Sequence, residues 1–525
     1  MGQHQVRKKI AQPLTGSGHL VTGTSEFLLR WHDLNFEMIG LVANNARLFG
    51  TSFAREPAMN QDSAWNEFRA SLRGQLLLAN HPDYEEARKI HNVMIDRHPS
   101  AIVRCAGVSD VLAAVKFARS RGILVSVRGA GHNVAGTSLC DDGLVIDLSM
   151  MKGIHVNIVN HTARVEPGVT WAELGHELQT FGLAAAGGFV GATGVGGLTL
   201  GGGLGWMVRK YGLALDNLLS ADAITAEGEL LAANSTENAD LFWGIRGGGG
   251  NFGIITSFEF KVHPVGTVLA GLVMHQASKG REALRFWREY ESTTPEDMSN
   301  SAVVFTAPPG LPVPESLRRE PIVGIGGVCL GPPEAAERAL RPLREFGMPG
   351  ADIYQRMPYS AAQTMADFLW PRGYYNYWKS SYLNSFSDGA IDTILDFYSK
   401  APSPRSVVVV EHDGDGAMSR VPEDATAFGH RNWPYNFLVT TVWSDSADTD
   451  ANIRWTRDFF HAMEPFFAEA AYVNYLGEVE EEGIRAAYGR KYERLAALKG
   501  KYDPTNFFCL NHNIRPNRAQ SYAAA

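Results

Sequence analysis

The chain of 525 residues is poor in cysteine, in clustered basic charge and in long apolar runs. Its four cysteines have no Cys-x-x-Cys spacing, which argues against a zinc site and a disulfide scaffold and favours a reducing compartment. The net charge is −8 and the basic residues are dispersed, so we expect no nucleic-acid partner. No apolar stretch is long enough to span a bilayer, so we expect no membrane partner either.

The N-terminal segment is basic but lacks the uninterrupted apolar core of a secretory signal. We therefore interpret it as uncleaved and expect a cytoplasmic protein. A hydrophobic content of 45% with 20% charged residues is typical of a folded globular protein. The chain is too long for a single core, and its length predicts about two to four domains. No oligomeric state is predicted.

Residues 100–150 alternate between strand and helix patterns. Strands are predicted at residues 101–105, 123–127 and 144–149. The first two are joined by a predicted helix with Ser109 as its N-cap and Gly122 as its stop. Another helix is predicted after Thr170, which forms a capping box with Glu173. This alternation favours a mixed helix and sheet fold.

Three glycine-rich segments each follow a predicted strand: residues 126–136, 187–205 and 246–262. In the second segment, ten of nineteen residues are glycine. Because each glycine costs conformational entropy in a helix or strand, we predict a wrapped loop there. Backbone N–H groups without covering side chains suit phosphate oxygens, so the expected ligand is a pyrophosphate. None of the segments has GxGxxG in the strand and helix context of the dinucleotide-binding fingerprint.

One histidine, His132, lies inside the first glycine-rich segment, SVRGAGHNVAG. No second histidine, cysteine or carboxylate stands at metal-ligand spacing from it, so no metal is predicted. A neutral imidazole is a nucleophile, and in a loop that contacts a cofactor it could bond to an electrophilic carbon. The alternative is a solvent-exposed or structurally satisfied histidine.

Four segments occur in an order that resembles one known family. They are RGAGHNVAG, GVGGLTLGGGLGWMVRKYGLALDN, DLFWGIRGGGGNFGIITSFEF and the C-terminal YDPTNFF with NHNI. Together they are similar to FAD-linked oxidases of the berberine-bridge-enzyme type, in the vanillyl-alcohol-oxidase superfamily with its PCMH-type FAD-binding domain. The resemblance covers about residues 75–520. It implies an α+β fold, with a two-subdomain FAD-binding domain and a substrate domain in which helices back an antiparallel sheet.

The composition of the sequence changes near His263 and Pro264, where we place the boundary between these two domains. Beyond it the glycine-rich segments thin out and aromatic strands appear. The resulting division has residues 1–75 as an N-terminal extension of unknown role, 76–263 as the FAD-binding domain, 264–465 as the substrate-binding domain and 466–525 as a segment that returns to the FAD-binding domain.

The resemblance implies that the ring of His132 is bonded to the 8α-methyl carbon of FAD. Many relatives have a second bond, from a cysteine to carbon 6 of the flavin, but Val190 takes that position here. FAD attachment through His132 only is therefore expected. The implied cofactor-binding residues are His132, Arg128, Gly129, Ala130, Gly131, Asn133, Val134, Gly136, Val190, Thr193, Gly194, Gly196, Gly197, Gly201, Gly253, Ile255, Asn511 and Asn513.

For catalysis, the resemblance indicates the stretch AYVNYLGE. Tyr472 is our first candidate for the base that takes the substrate proton as hydride leaves, and Tyr475 lies beside it in sequence. Leu438 stands where plant members have Glu or Gln. Lys379 is a further candidate, with a solvated surface lysine as the alternative.

The run VVVVEH contains two more polar residues, Glu411 and His412. We interpret them as the exit of a strand into a turn rather than as cavity residues. An aromatic cluster favours an apolar or ring-shaped substrate, although such clusters are more often core: Trp370, Tyr374, Tyr375, Tyr377 and Trp378.

The implied function is an oxidase that removes hydride from an alcohol or amine carbon of a small organic substrate and reduces oxygen to hydrogen peroxide. One alternative is a dehydrogenase of the same fold that uses a non-oxygen acceptor. A carbohydrate oxidase is a second, and a flavin-carrying protein without turnover is a third.

Overall fold

The fold is taken from a computed structural model, which describes residues 61–477 and 481–517. The chain divides into two units, Met1–Ala64 and Trp65–Ala525, and every sheet of the described residues lies in the second. Most of the predicted N-terminal extension lies outside the described residues. None of the helices in these ranges is both long and apolar enough to cross a membrane.

The described residues form the following helices: α1 (Gln61–Ala70), α2 (Tyr84–Ala87), α3 (Val108–Arg121), α4 (Trp171–Gln179), α5 (Val195–Gly201), α6 (Val208–Tyr211), α7 (Ala239–Ile245), α8 (Gly280–Glu291), α9 (Pro333–Glu345), α10 (Tyr359–Ala362), α11 (Asp388–Tyr398), α12 (Ala417–Arg420), α13 (Thr449–Met463), α14 (Glu481–Tyr488) and α15 (Tyr492–Tyr502).

The strands of the same residues are β1 (Gln75–Leu78), β2 (Ala101–Arg104), β3 (Val125–Arg128), β4 (Leu144–Asp147), β5 (Ile154–Asn157), β6 (Thr162–Val165), β7 (Leu183–Ala184), β8 (Leu218–Ile224), β9 (Leu230–Asn234), β10 (Ile254–Lys261), β11 (His263–Pro264), β12 (Thr267–Gln276), β13 (Met298–Thr306), β14 (Pro321–Cys329), β15 (Ala351–Asp352), β16 (Gln355–Pro358), β17 (Tyr375–Leu383), β18 (Val407–His412) and β19 (Tyr435–Trp443).

Two small sheets come first along the chain. The first has the order β1-β2-β4-β3, in which β2, β4 and β3 are parallel and β1 is antiparallel. The second is antiparallel with the order β5-β6-β10-β8-β9. Strand β4 reads LVID and is buried throughout, as expected for a parallel strand covered on both faces. Strands β7 and β11 form a separate antiparallel pair.

The large sheet, made of the eight strands β12–β19, is antiparallel. Its order is β15-β12-β14-β13-β18-β19-β17, and β16 pairs with β12. Successive side chains of a strand point to opposite faces. On one face, Val410 and Val439 pack in a core with Trp287 of α8 and Phe459 of α13. The other face, the cavity face, borders the site described below.

Several local predictions are confirmed. Gly122 is the C-cap of α3 at φ 63°, in the left-handed region where glycine has no Cβ penalty. Thr170 and Glu173 form the predicted capping box at the start of α4. Strand β19 has the bounds 435–443 given by the run YNFLVTTVW.

Two local predictions are wrong. Helix α3 has Gly107, not Ser109, as its N-cap, because buried Asp110 accepts the backbone N–H groups of Arg73, Gly74 and Ala106 and holds the chain before the helix.

The second glycine-rich segment is not a loop throughout, since it contains α5. Val195 of α5 is fully buried in the core of the second sheet, together with Phe258. Tertiary packing of this kind offsets the entropy that glycines cost in a helix.

Candidate active site

A cavity of about 570 Å³ lies between the glycine-rich segments and the cavity face of the large sheet. All three glycine-rich segments contribute lining residues. The segments around Tyr472 and Asn511, which follow the large sheet in the chain, complete it. The topology therefore brings residues more than 300 positions apart in sequence to one cavity.

The first glycine-rich segment leaves β3 and turns along the cavity. Residues 129–134 all line the cavity. Among the described residues, no backbone group accepts a hydrogen bond from their N–H groups. A run of N–H groups without a partner in the described residues, at the lining of a cavity, suits a ligand with several acceptor oxygens. The pyrophosphate predicted from the sequence has this chemistry.

His132 lies in this run. Its side chain lines the cavity, and its Nε2 atom is buried without a hydrogen-bond partner in the described part of the chain. Its ring stacks on that of His91, with 4.0 Å between the ring centroids. Burial, and then the neighbouring His91, hold the pKa of His132 well below its ordinary value. The imidazole is therefore neutral, which is the nucleophilic form.

The second glycine-rich segment lies against the first. A Cβ atom added at Gly194 would lie 2.9 Å from the Cβ of Ala130, so glycine permits this close approach. A Cβ added at Gly197 would meet no atom within 4 Å. The predicted residues of this segment all line the cavity: Val190, Thr193, Gly194, Gly196, Gly197 and Gly201.

The third segment is joined to the C-terminal segment by Asn251, which the sequence analysis missed. Its Nδ2 donates to the carbonyls of Gly248, at 2.8 Å, and of His512, at 3.2 Å. Its Oδ1 accepts the N–H of Ile514 at 2.9 Å. The predicted residues Gly253, Ile255 and Asn511 line the cavity here. No sequence pattern around Asn251, a single asparagine inside GGGGNFG, predicts that its side chain joins the two segments.

Three predicted cofactor residues do not line the cavity. Arg128 forms a buried ion pair with Asp147 and donates to the carbonyl of Ala87, so its guanidinium anchors the end of β3. Gly136 makes a left-handed turn at φ 74° next to Ile95. Asn513 also lies outside the lining, and its buried Oδ1 has no hydrogen-bond partner in the described residues.

Lys379 also lies away from the cavity. It pairs with Val439 on the helix-covered face of the large sheet, and its ammonium lies 5.6 Å from the centre of the Phe460 ring of α13. Its neighbour Trp378 points to the opposite face and lines the cavity, as does Trp370. The remaining members of the aromatic cluster do not line it: Tyr374, Tyr375 and Tyr377.

Replacement of Lys379 by methionine is expected to change kcat and KM less than about twofold, because surface contacts away from a site contribute little. Steady-state kinetics on any substrate that the protein turns over would check this. A loss of tenfold or more would show that Lys379 reaches the reacting groups and would contradict its placement.

The hydroxyl oxygen of Tyr472 accepts three hydrogen bonds. The donors are the backbone N–H of Gly203 at 2.9 Å, that of Leu204 at 3.2 Å and Nδ2 of Asn474 at 2.8 Å. Burial raises the pKa of Tyr472 to about 12, while these hydrogen bonds lower it. Tyr472 lines the cavity, and its hydrogen bonds to Gly203 and Leu204 hold the end of the second glycine-rich segment in place.

Tyr475 and Glu411 form a hydrogen-bonded pair in the cavity lining. The Tyr475 hydroxyl donates to Oε1 of Glu411 at 2.8 Å, and Nδ2 of Asn436 donates to Oε2 at 2.8 Å. Glu411 is 3% exposed. Burial, and then the nearby Asp413, hold its pKa well above the ordinary value, while the hydrogen bonds from Tyr475 and Asn436 oppose that rise.

Glu411 and His412 are the last residues of β18, as predicted for a strand exit. The expectation that neither is a cavity residue is wrong for Glu411, which lies on the cavity face of β18. His412, the next residue, points to the other face and pairs with Glu291, with 2.8 Å between Nδ1 and Oε2. Alternation along β18 would predict opposite faces for the two residues. The four preceding valines hide this signal, because both faces of β18 are buried and apolar.

The pH dependence of stability tests the burial of Glu411. A carboxyl whose pKa is higher in the folded state binds more protons when folded, so its stabilising contribution is lost as the pH rises through the folded value. Without cofactor, Glu411→Gln is therefore expected to gain stability over the parent progressively above pH 4.5, the ordinary value. Thermal unfolding at pH 5 and pH 9 would measure the difference. Glu229→Gln, at an exposed position, is the control, and an equal difference at both pH values for Glu411→Gln would contradict the prediction.

Parts of the chain match two family models, and the chain is similar to curated proteins over most of its length. Residues 99–234 match the family model for an FAD binding domain, and residues 471–515 match the model described as berberine and berberine like. An FAD-linked oxidoreductase of Dictyostelium discoideum is 31% identical over 454 residues, which are 86% of this chain and 96% of the relative. The (R)-6-hydroxynicotine oxidase of Paenarthrobacter nicotinovorans is 31% identical over 471 residues, 85% and 97% of the two chains.

Solved structures show the same fold. The crystal structure of 6-hydroxy-D-nicotine oxidase from Arthrobacter nicotinovorans superposes with a TM-score of 0.78 at 28% identity, over 85% of this chain and 99% of the other. Fold and site thus define an FAD-linked oxidoreductase. The chain belongs to the berberine-bridge-enzyme-like family, as its sequence motifs imply.

Proposed function

We propose that this FAD-linked oxidoreductase is an oxidase that removes hydride from an alcohol or amine carbon of a small organic substrate and reduces oxygen to hydrogen peroxide. We further propose that FAD is bonded covalently through His132 only. Residues 76–263 would supply the glycine-rich segments, residues 264–465 the substrate face, and the C-terminal segment from residue 466 would close the site.

The residues present fit FAD. The observation that supports the proposal most directly is the buried Nε2 of His132, which has no protein partner and lies in a run of open N–H groups. Burial of a polar atom without a partner costs free energy, so such an atom in a cavity lining indicates a ligand contact. Gly197 leaves open space where any side chain would intrude. FAD, when bound, supplies the hydride acceptor and passes the electrons on.

Attachment at one point is supported by the position of the cysteines. None of those in the described residues lines the cavity. Val190, which the sequence resemblance aligns with the second attachment point of many relatives, lines the cavity. Cys140 is buried against Ser126, with 3.4 Å between its Sγ and the serine hydroxyl.

The protein's own proton acceptor in this proposal is Tyr475 backed by Glu411. As hydride leaves the substrate carbon, the phenol oxygen of Tyr475 takes the proton of the substrate's hydroxyl or amino group and passes its own proton to Glu411. Glu411 must be ionised to accept this proton. Because its pKa is raised, the ionised carboxylate of Glu411 is a stronger base than an ordinary carboxylate. Tyr472 is the first candidate from the sequence. Its hydroxyl oxygen already accepts hydrogen bonds from three N–H groups, which favours a role in holding the second glycine-rich segment in place.

The proposal is tested with a panel of alcohols, amines and sugars, scored by peroxide formed in air. The amount of peroxide formed is expected to increase in proportion to the amount of substrate consumed. The dehydrogenase alternative predicts instead that reduced protein reacts slowly with oxygen and rapidly with an acceptor dye. If no member of the panel bleaches the flavin under nitrogen, the proposed function is wrong.

A further inference from the structure

The histidine that is proposed to carry FAD stacks on a second histidine. The ring centroids of His91 and His132 lie 4.0 Å apart, with 25° between the ring planes. His91 is 4% exposed and does not line the cavity, and its buried Nε2 has no hydrogen-bond partner in the described residues. The face of its ring is therefore the part of His91 that contacts His132.

Hydrogen bonds fix the backbone around His91. Its N–H donates to the carbonyl of Gly131, directly before His132, at 2.9 Å. The next residue, Asn92, donates from Nδ2 to the carbonyl of Asn376 on β17 at 3.0 Å. Its Oδ1 accepts the N–H of Asn376, also at 3.0 Å. The stretch that carries His91 is thus joined to both the first glycine-rich segment and the large sheet.

The stack restricts the orientation of the His132 ring. Any rotation of His132 that turns its ring out of the stack loses the contact with His91. Trp378 also lies near this ring, with 6.5 Å between the centroids and 74° between the planes. His132 lines the cavity in this orientation. A reacting group that is held in one orientation reacts faster than one that samples several.

Few charged groups surround the stacked pair. Burial, and then His91, lower the pKa of His132, and Arg372 lowers it as well. Burial, and then Arg372, lower the pKa of His91 to about 4. The guanidinium of Arg372 donates to the carbonyl of Lys89 at 3.3 Å. On the cavity side, the other titratable residues of the described lining are Glu411, Tyr472, Tyr475, Tyr488 and His512.

Two histidines in contact also occur at metal sites, but this pair is arranged differently. Stacked rings direct their nitrogens along nearly parallel planes, so the nitrogens do not converge on one point. The described residues also contain no group of three histidine, cysteine, aspartate or glutamate side chains that suits a metal ion. The contact between the ring faces is therefore the feature that needs an explanation.

We propose that His91 is a positioning residue for the attachment of FAD to His132: its ring face fixes the orientation of the His132 imidazole and shields it from water. In the attachment, one C–H bond of the 8α-methyl group and the N–H bond of the imidazole break, and a bond forms between that carbon and a nitrogen of His132. The two electrons and two protons released pass to dioxygen, which leaves as hydrogen peroxide. This inference rests on the proposed covalent attachment, of which it names the residue that prepares His132.

The rate of attachment tests this proposal. The full-length chain is produced in riboflavin-starved cells, FAD is added in air, and intact mass under denaturing conditions gives the covalently loaded fraction over time. Flavin that ultrafiltration retains but acid releases measures noncovalent binding separately. His98→Ala is the control, because His98 is an exposed histidine of the same stretch. This control is expected to attach FAD at the rate of the parent.

Two substitutions of His91 separate the ring face from bulk alone. His91→Phe keeps an aromatic face and is expected to attach FAD within about twofold of the parent's rate. His91→Leu keeps an apolar side chain but has no flat face. It is expected to be at least about tenfold slower than the parent at every pH, while it still binds FAD noncovalently.

The pH profile separates shielding from a merely structural role. His91→Ala leaves space for water beside His132, so the pKa of that ring should return toward its ordinary value of 6.5. A protonated imidazole has no free lone pair, so attachment should slow as the pH falls. The ratio of this variant's rate to the parent's rate is expected to be at least about tenfold lower at pH 5 than at pH 8.

Three results would overturn the role of His91: attachment by His91→Leu at the parent's rate, attachment by His91→Phe as slow as that of His91→Leu, or an equal ratio for His91→Ala at both pH values. In each case the parent still gains the mass of FAD, so the proposed attachment stands. A parent that gains no mass overturns the attachment itself, and this inference with it.

Discussion

His132→Ala is expected to lose all of its acid-stable flavin. Because the bond to FAD is proposed to form at the imidazole of His132, alanine leaves only the noncovalent contacts of the glycine-rich segments. Acid precipitation of the parent should leave a yellow pellet, whereas the variant should release its flavin to the supernatant. Intact-mass measurement under denaturing conditions should show the added mass of FAD on the parent alone.

The variant should still fold, because Nε2 of His132 makes no hydrogen bond within the described protein. His512→Ala is the matched control, since His512 is also a histidine of the cavity lining whose pKa is lowered, to about 4, by burial. It should keep acid-stable flavin. A yellow pellet from His132→Ala, or a parent without the added mass, would contradict attachment at this residue.

Tyr475→Phe is expected to lower kcat by about 10²- to 10⁴-fold, the range that general acid–base catalysis contributes. The substitution removes only the hydroxyl that donates to Glu411 at 2.8 Å. Glu411→Gln should have a similar effect, and the double variant should lose little more, because the two residues act as one unit. Stopped-flow reduction of the flavin under nitrogen would measure this step directly.

The pH profile of the same step separates a proton acceptor from a structural pair. In the parent, the rate of reduction should rise with pH through the raised pKa of Glu411, since the base must be deprotonated. In Glu411→Gln that rise should disappear. If Tyr472→Phe abolishes reduction while Tyr475→Phe retains more than a tenth of the rate, Tyr472 is the base and the assignment of Tyr475 is wrong.

The glycine-rich segments that line the cavity could be predicted from the sequence because their signals are local. Glycines appear where backbones approach each other or a ligand, as Gly194 does against Ala130. Most of the predicted cofactor residues line the cavity. Arg128 is one of three exceptions, and only the fold reveals that its guanidinium pairs with Asp147 on the neighbouring strand.

The sequence alone determined the family, the FAD-binding class and the position of His132, because short motifs along the chain carry this information. Tertiary structure decided which polar side chains meet: it placed Glu411 against Tyr475, 64 positions away, and turned Lys379 to the far face of its strand. These outcomes depend on strand pairing and on packing from both sides of the sheet. Where both faces of a strand are buried, alternation of apolar and polar residues no longer distinguishes the two faces. The sequence then does not determine which side chains point to which face, and the assembled sheet decides it.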